Sequence, residues 1–229
     1  MAIEWENGFV KRIALGGLTG TGWGIAVRDR RSAFTLADAG ACTVVDRGCA
    51  SLPNGFQRAI ELAMAEGRWL LTLDATSWRG TLRIHQHLES LADSVLTGVA
   101  IDVRFDRPFL DRALIGDAAP GAIGGLRCWS VPYVTLAGAT ETVQIRTTST
   151  AHERGLLERL DLRDDPESWA VRAELVDPMA PPDGGRSADE TAWCTHLAFG
   201  EAIQLTVDCE FGRVEPEVYD DARGAVWAA

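Results

Sequence analysis

Residues 68–105 alternate apolar and polar side chains almost without interruption, and this alternation constrains the fold more than any other feature of the chain. Trp69, Leu71 and Leu73 share one parity. Leu82, Ile84 and Leu88 share the next, and Val99, Ile101, Val103 and Phe105 a third. A period of two belongs to a half-buried antiparallel strand, whose successive side chains point to opposite faces of a sheet. Three strands at 68–76, 80–89 and 95–107 are therefore expected to form a meander. Further strands are predicted at 9–15, 22–27, 33–36, 42–46, 126–136, 141–148, 168–176, 192–199 and 202–211. The last is very regular, with Ile203, Leu205, Val207, Cys209 and Phe211 facing one way and Gln204, Thr206, Asp208 and Glu210 the other.

Residues 55–65 fit both periods, because Phe56, Ile60 and Met64 suit a helix while Phe56, Ile60, Leu62 and Met64 share a strand parity. The strand is preferred because its pattern runs directly into the next one. Residues 106–125 read as loop with a short helical turn at 109–114, residues 161–167 as a turn, and 215–221 as a solvated acidic tail. The Pro- and Gly-rich stretch 177–190 reads as a flexible loop inserted between two strands. About a dozen strands in 229 residues predict one all-β domain spanning 1–229. Its architecture is expected to be an antiparallel β-sandwich with long loops, either a jelly-roll or a larger two-sheet supersandwich.

Composition narrows the partners. The net charge is −11 and there is a single lysine, Lys11. Nucleic-acid binding depends on cations that displace counterions from phosphate, so that class is excluded, and anionic membrane surfaces are disfavoured for the same reason. No apolar run approaches the roughly 20 residues of a membrane helix. The run Gly16-Gly17-Leu18-Thr19-Gly20-Thr21-Gly22 lacks the Lys and helix start of a phosphate loop. Five cysteines, Cys42, Cys49, Cys128, Cys194 and Cys209, without a CxxC pair point to free thiols and a cytoplasmic setting. An acidic, soluble protein of this kind suits a small-molecule or glycan ligand and is compatible with a homo-oligomer.

The chemistry-bearing residues fall on the polar parity of the alternating region. Thr72, Asp74 and Thr76 come from one strand, Arg83, His85, His87 and Glu89 from the next, and Asp102, Arg104 and Asp106 from the third. Such a face offers planar donors and acceptors to sugar hydroxyls, and a His beside a carboxylate can move protons. On this reading His85, His87 and Asp102 are the candidate catalytic groups, while Arg83, Arg104 and Asp74 hold the ligand. The reading requires Arg83, His85 and Asp102 to lie on one surface. The chain has eight tryptophans. Trp69 and Trp169 fall on core parities. Trp78, in the turn-like 76–80, is a candidate sugar platform, although packing over a strand end is the simpler expectation.

Two other functions fit the same residues. His85 and His87 on one strand face could share zinc or iron with His196, with Cys194 a further ligand, in a cupin-like small-molecule enzyme. No cofactor is needed on the sugar reading. The third candidate is a structural or assembly protein with no small-molecule site. Gln86 is the anomaly of the region, because it takes the core parity between Ile84 and Leu88, where a polar group must find partners.

Overall fold

The alternation at 67–106 is realised as strands, but those strands are divided between two large sheets and a two-stranded ribbon. The computed structural model describes residues 2–6, 9–15, 18–21, 23–36, 38–106, 110, 112–115, 133–176 and 194–213. In chain order the strands are β1 (Ala2–Glu6), β2 (Phe9–Leu15), β3 (Leu18–Thr21), β4 (Trp23–Arg28), β5 (Ala33–Thr35), β6 (Thr43–Leu52), β7 (Gly55–Met64), β8 (Gly67–Trp78) and β9 (Thr81–Ser90). They continue as β10 (Ser94–Leu96), β11 (Gly98–Asp106), β12 (Arg112–Ile115), β13 (Tyr133–Ala137), β14 (Glu141–Ser149), β15 (Leu157–Asp164), β16 (Ser168–Val176), β17 (Thr195–Leu197) and β18 (Ala202–Arg213). An eight-stranded sheet has the order β12-β13-β14-β18-β9-β8-β7-β6, and a five-stranded sheet the order β15-β16-β11-β4-β5. Strands β1–β3 form a small sheet of their own, and β10 and β17 a two-stranded ribbon.

The two larger sheets pack face to face through their apolar parities. Leu71, Leu73, Ile84, Leu88, Leu205 and Val207 from one meet Ile101, Val103, Leu162, Trp169 and Val171 from the other in a single buried cluster. Phe105 and Phe211 bridge the sheets edge-to-face, with centroids 6.2 Å apart. The protein is thus an antiparallel β-sandwich, and its eight-stranded sheet makes it the larger two-sheet type and not a jelly-roll. Among the described residues no helix is long and apolar enough to cross a membrane.

Residues 55–64 are strand β7, as the continuous parity implied. Residues 112–114 of the predicted helical turn belong instead to strand β12, paired with β13. Residues 161–164 of the predicted turn continue strand β15, so the turn is confined to 165–167. Strands β1, β3 and β15 carried too short or too mixed an alternation to be read. The predicted loop at 177–190, the tail at 215–221 and the strand residues 126–132 and 192–193 lie outside the described residues.

The expected three-strand meander is corrected. After β9 the chain makes the short strand β10 and crosses to the other sheet, so β11 pairs with β16 and β4 and not with β9. With Ile101, Val103 and Phe105 in the core, Asp102 and Arg104 face outward from the five-stranded sheet. Asp102 accepts two hydrogen bonds from Arg172 Nη1, both 3.2 Å, and Arg172 Nε donates to Glu174 Oε2 at 3.2 Å. Arg159 pairs with Glu174 and donates from Nε to Asp161 Oδ2 at 2.9 Å. Burial pushes the Asp161 carboxyl up to about 6, Arg159 opposes that rise and Glu174 adds to it.

Gln86 is fully buried between Leu73 and Leu205 on the core side of the sheet. Neither its Oε1 nor its Nε2 has a hydrogen-bond partner, and the same is true of the buried Trp69 Nε1. An unsatisfied buried amide costs about 1–3 kcal/mol.

Two stability predictions follow from these groups. Gln86→Met should raise the free energy of unfolding by about 1–3 kcal/mol, read as a higher urea midpoint at unchanged slope. The native state holds the Asp161 proton over a range in which the unfolded chain has lost it, so this group's stabilising contribution falls as pH rises from 3.8 through about 6. Asp161→Asn should therefore gain on the wild type over that interval, measured by denaturation at each pH. A constant difference would place the Asp161 carboxyl in its ordinary range.

Candidate functional site

The wet face of the eight-stranded sheet is assembled by register. Because Leu73, Ile84, Val207 and Ile145 are buried, the residues next to them in sequence must face the other way. Antiparallel pairing then lines them up across strands. One row runs Gln57, Asp74, His85, Thr206, Thr148, and the next runs Thr76, Arg83, Asp208, Arg146, Tyr133. A third carries Thr72, His87 and Gln204. The first two rows enclose an open cleft of about 420 Å³ lined by Asp74, Thr76, Arg83, His85, Thr148 and Thr206. That volume lies within the roughly 300–1,000 Å³ typical of small-molecule sites.

Asp74, Arg83, His85 and Thr206 of the cleft lining are each held by a neighbour. Arg83 donates from Nε to Asp208 Oδ1 at 2.7 Å and from Nη2 to Asp208 Oδ2 at 2.9 Å, a two-pronged pair that fixes the guanidinium plane. His85 Nδ1 shares a 2.8 Å hydrogen bond with Thr206 Oγ1, which leaves Nε2 as the ring nitrogen available to a ligand. Gln57 Nε2 donates to Asp74 Oδ1 at 2.7 Å, and Asp74 Oδ2 has no partner among the described residues. Asp74 and His85 oppose each other directly, so their Cβ atoms lie about 4.5–5.5 Å apart. Gln204 Nε2 donates to His87 Nδ1 at 3.1 Å, outside the cleft lining.

Desolvation lowers the His85 pKa below the ordinary histidine value of 6.5. Asp74 opposes the shift, while His87 and Arg83 add to it. His85 is thus a neutral imidazole at neutral pH, beside a carboxylate that can stabilise its charged form. With Arg83 balanced by Asp208, the cleft keeps the single uncompensated charge of Asp74. It suits a neutral, hydroxyl-rich ligand better than an anion.

The structure brings together Asp74, Arg83 and His85 from the predicted set, and it places Trp78 on the same face beyond Thr76. The three-strand surface that was to unite Arg83, His85 and Asp102 does not exist, because Asp102 and Arg104 are on the outer face of the opposite sheet. His196 also stands apart. It opposes Val95 in the β10–β17 ribbon, while His85 pairs with Asp74 and Thr206. No group of three or more His, Cys, Asp or Glu side chains is arranged to hold a metal ion among the described residues. Cys194 is bonded by Arg30 Nη2 at 3.1 Å. Thr206, Asp208 and Thr148 went unrecognised as site residues. The polar parity of residues 204–210 was visible, but sequence order does not reveal that β18 lies beside β9.

The environment of His85 can be tested directly. Its ring should titrate below pH 6.5 in NMR spectra, and Asp74→Asn should move that midpoint lower still, by removing the one charge that favours imidazolium. A rise on Asp74→Asn would contradict the placement of the two groups.

No protein-family model matches this chain, and no curated protein matches it. Solved structures do share its architecture. The Slr1438 protein from Synechocystis sp. PCC 6803 is 10% identical, with a TM-score of 0.51 over 89% of this chain and 74% of that one. A galactose mutarotase-like protein from Lactobacillus casei ATCC 334 is 11% identical, with a TM-score of 0.51 over 88% of this chain and 80% of that one. At these identities the likeness is one of fold: this chain has the β-sandwich architecture of a galactose mutarotase-like protein.

Proposed function

We propose that the protein binds the cyclic form of a neutral sugar in the cleft of the eight-stranded sheet, where His85 moves the proton that opens and closes the sugar ring. The observation that carries this reading is the direct opposition of a neutral His85 and a carboxylate, Asp74, that keeps one oxygen free. The architecture shared with a galactose mutarotase-like protein supports the substrate class, although fold by itself does not assign a reaction.

Anomer interconversion moves one proton between two oxygens on the same carbon. His85 Nε2 takes the proton of the anomeric hydroxyl, and the resulting imidazolium is stabilised by Asp74. The same proton then passes to the ring oxygen as the ring carbon–oxygen bond breaks and the carbonyl forms. Rotation and closure in the reverse sequence give the other anomer, with no net change in atoms or electrons. Thr206 orients the imidazole through Nδ1, and Asp208 orients Arg83 toward the sugar hydroxyls. Thr76 and Thr148 supply further hydroxyl contacts.

The test is the rate of mutarotation of freshly dissolved α-glucose and α-galactose, followed by polarimetry, with binding measured in parallel by ligand-observed NMR. Wild-type protein should accelerate at least one of them, and His85→Ala should lower the enzymatic rate about 10²–10⁴-fold. The rate should fall on the acid side as His85 protonates, at a pH below the ordinary histidine range. Acceleration that survives His85→Ala would remove His85 from the chemistry. Failure of both sugars to bind would overturn the site.

A further inference from the structure

We infer that the wet face holds a second sugar subsite built on Trp78, so that the ligand is an oligosaccharide lying along the sheet. The inference rests on the sugar reading of the cleft and adds the class of ligand. Trp78 is 64% exposed, which is unusual for so large an apolar ring, and it does not pack over the strand end as its position in the sequence suggested. Its side chain shares the parity of Asp74 and Thr76 and therefore faces the same side as the cleft. Register sets Trp78 beside Thr81, Thr81 beside Glu210, and Glu210 beside Gln144. A flat apolar platform is thus followed by a hydroxyl, a carboxylate and an amide in one row. Glu210 is exposed and makes no hydrogen bond or ion pair with the described residues, so its acceptors are free for a ligand.

The local backbone keeps the platform in place. Arg79 and Gly80 have φ values of 47° and 85°, the consecutive left-handed pair of a two-residue hairpin turn. Arg79 is the sole non-glycine residue with positive φ among the described residues, a conformation that costs a side-chain-bearing residue about 1–2 kcal/mol. The turn is anchored where Phe211 N donates to Gly80 O at 2.8 Å. It carries the Arg79 guanidinium to 5.4 Å from the Trp78 ring centroid, a cation–π contact that steadies the indole while leaving most of it in water.

Spacing decides the ligand class. Trp78 lies four residue steps beyond Asp74, or about 13 Å along β8. One pyranose ring seated at His85 does not span that interval, and the Thr76–Arg83 row between them offers further contacts. A chain of two or three sugar units does span it.

The experiment titrates wild type, Trp78→Ala, Trp78→Phe and His85→Ala with glucose, maltotriose and cellotriose, and with galactose and β-1,4-galactotriose, by calorimetry. At least one trisaccharide should bind the wild type about tenfold or more tighter than its own monosaccharide. Trp78→Ala should bring that ratio to about one, and Trp78→Phe should keep part of it. A wild-type ratio of one for every pair, with monosaccharide binding still sensitive to His85→Ala, would overturn the second subsite while leaving the cleft intact. A ratio unaffected by Trp78→Ala would also overturn it. Absence of binding by all five sugars would overturn the cleft reading, and the subsite with it.

Discussion

The contact on which the rest of the molecule depends is the seam between the two large sheets. Burial of side chains of the Leu, Ile, Val and Phe type is worth about 1.5–3 kcal/mol each, and the seam collects them from nearly every strand of both sheets. A one-residue slip in any strand would expose its whole apolar set, so the seam also fixes which side chains meet water. Once Leu73, Ile84 and Val207 are inside, Asp74, His85 and Asp208 are outside. The cleft is a consequence of that commitment, and its precision comes from the register of four adjacent strands, β14, β18, β9 and β8.

The two outer faces of the sandwich use similar residues to different effect. On the five-stranded sheet, Asp102, Arg172, Glu174, Arg159 and Asp161 answer one another's charges, and burial holds a proton on Asp161 toward neutral pH. Every charged group in that network faces one of opposite sign. On the eight-stranded sheet the Arg83–Asp208 pair is closed, but Asp74 Oδ2 and His85 Nε2 are not committed. A mixed polar face becomes a site where its groups are held by neighbours yet keep one donor or acceptor each.

Long-range order explains both the successes and the errors of the sequence reading. Period-two alternation identified β8, β9, β11, β14, β16 and β18, together with the buried and wet sides of β8, β9, β11 and β18. It assigned Trp69 and Trp169 to the core, where both are essentially inaccessible. It also exposed the misfit of Gln86, whose amide is buried without partners. Adjacency was the weak point. Residues 95–107 alternate as cleanly as residues 80–89, yet the chain leaves one sheet for the other at 91–97, and no local pattern distinguishes a hairpin from such a crossing.

What the sequence determined by itself was therefore the alternation: an all-β chain, the apolar halves of its strands, and a polar half containing Asp74, Arg83 and His85. These follow from backbone geometry, which turns every second side chain the same way whatever surrounds it. The tertiary structure alone decided which strands are neighbours. It set Thr206 and Asp208 against His85 and Arg83 across more than a hundred residues, and sent Asp102 and His196 elsewhere. Strand pairing is made by backbone groups that every residue carries, so partner choice is settled by how the side chains of all the strands close the core together and not by the pattern of either strand alone.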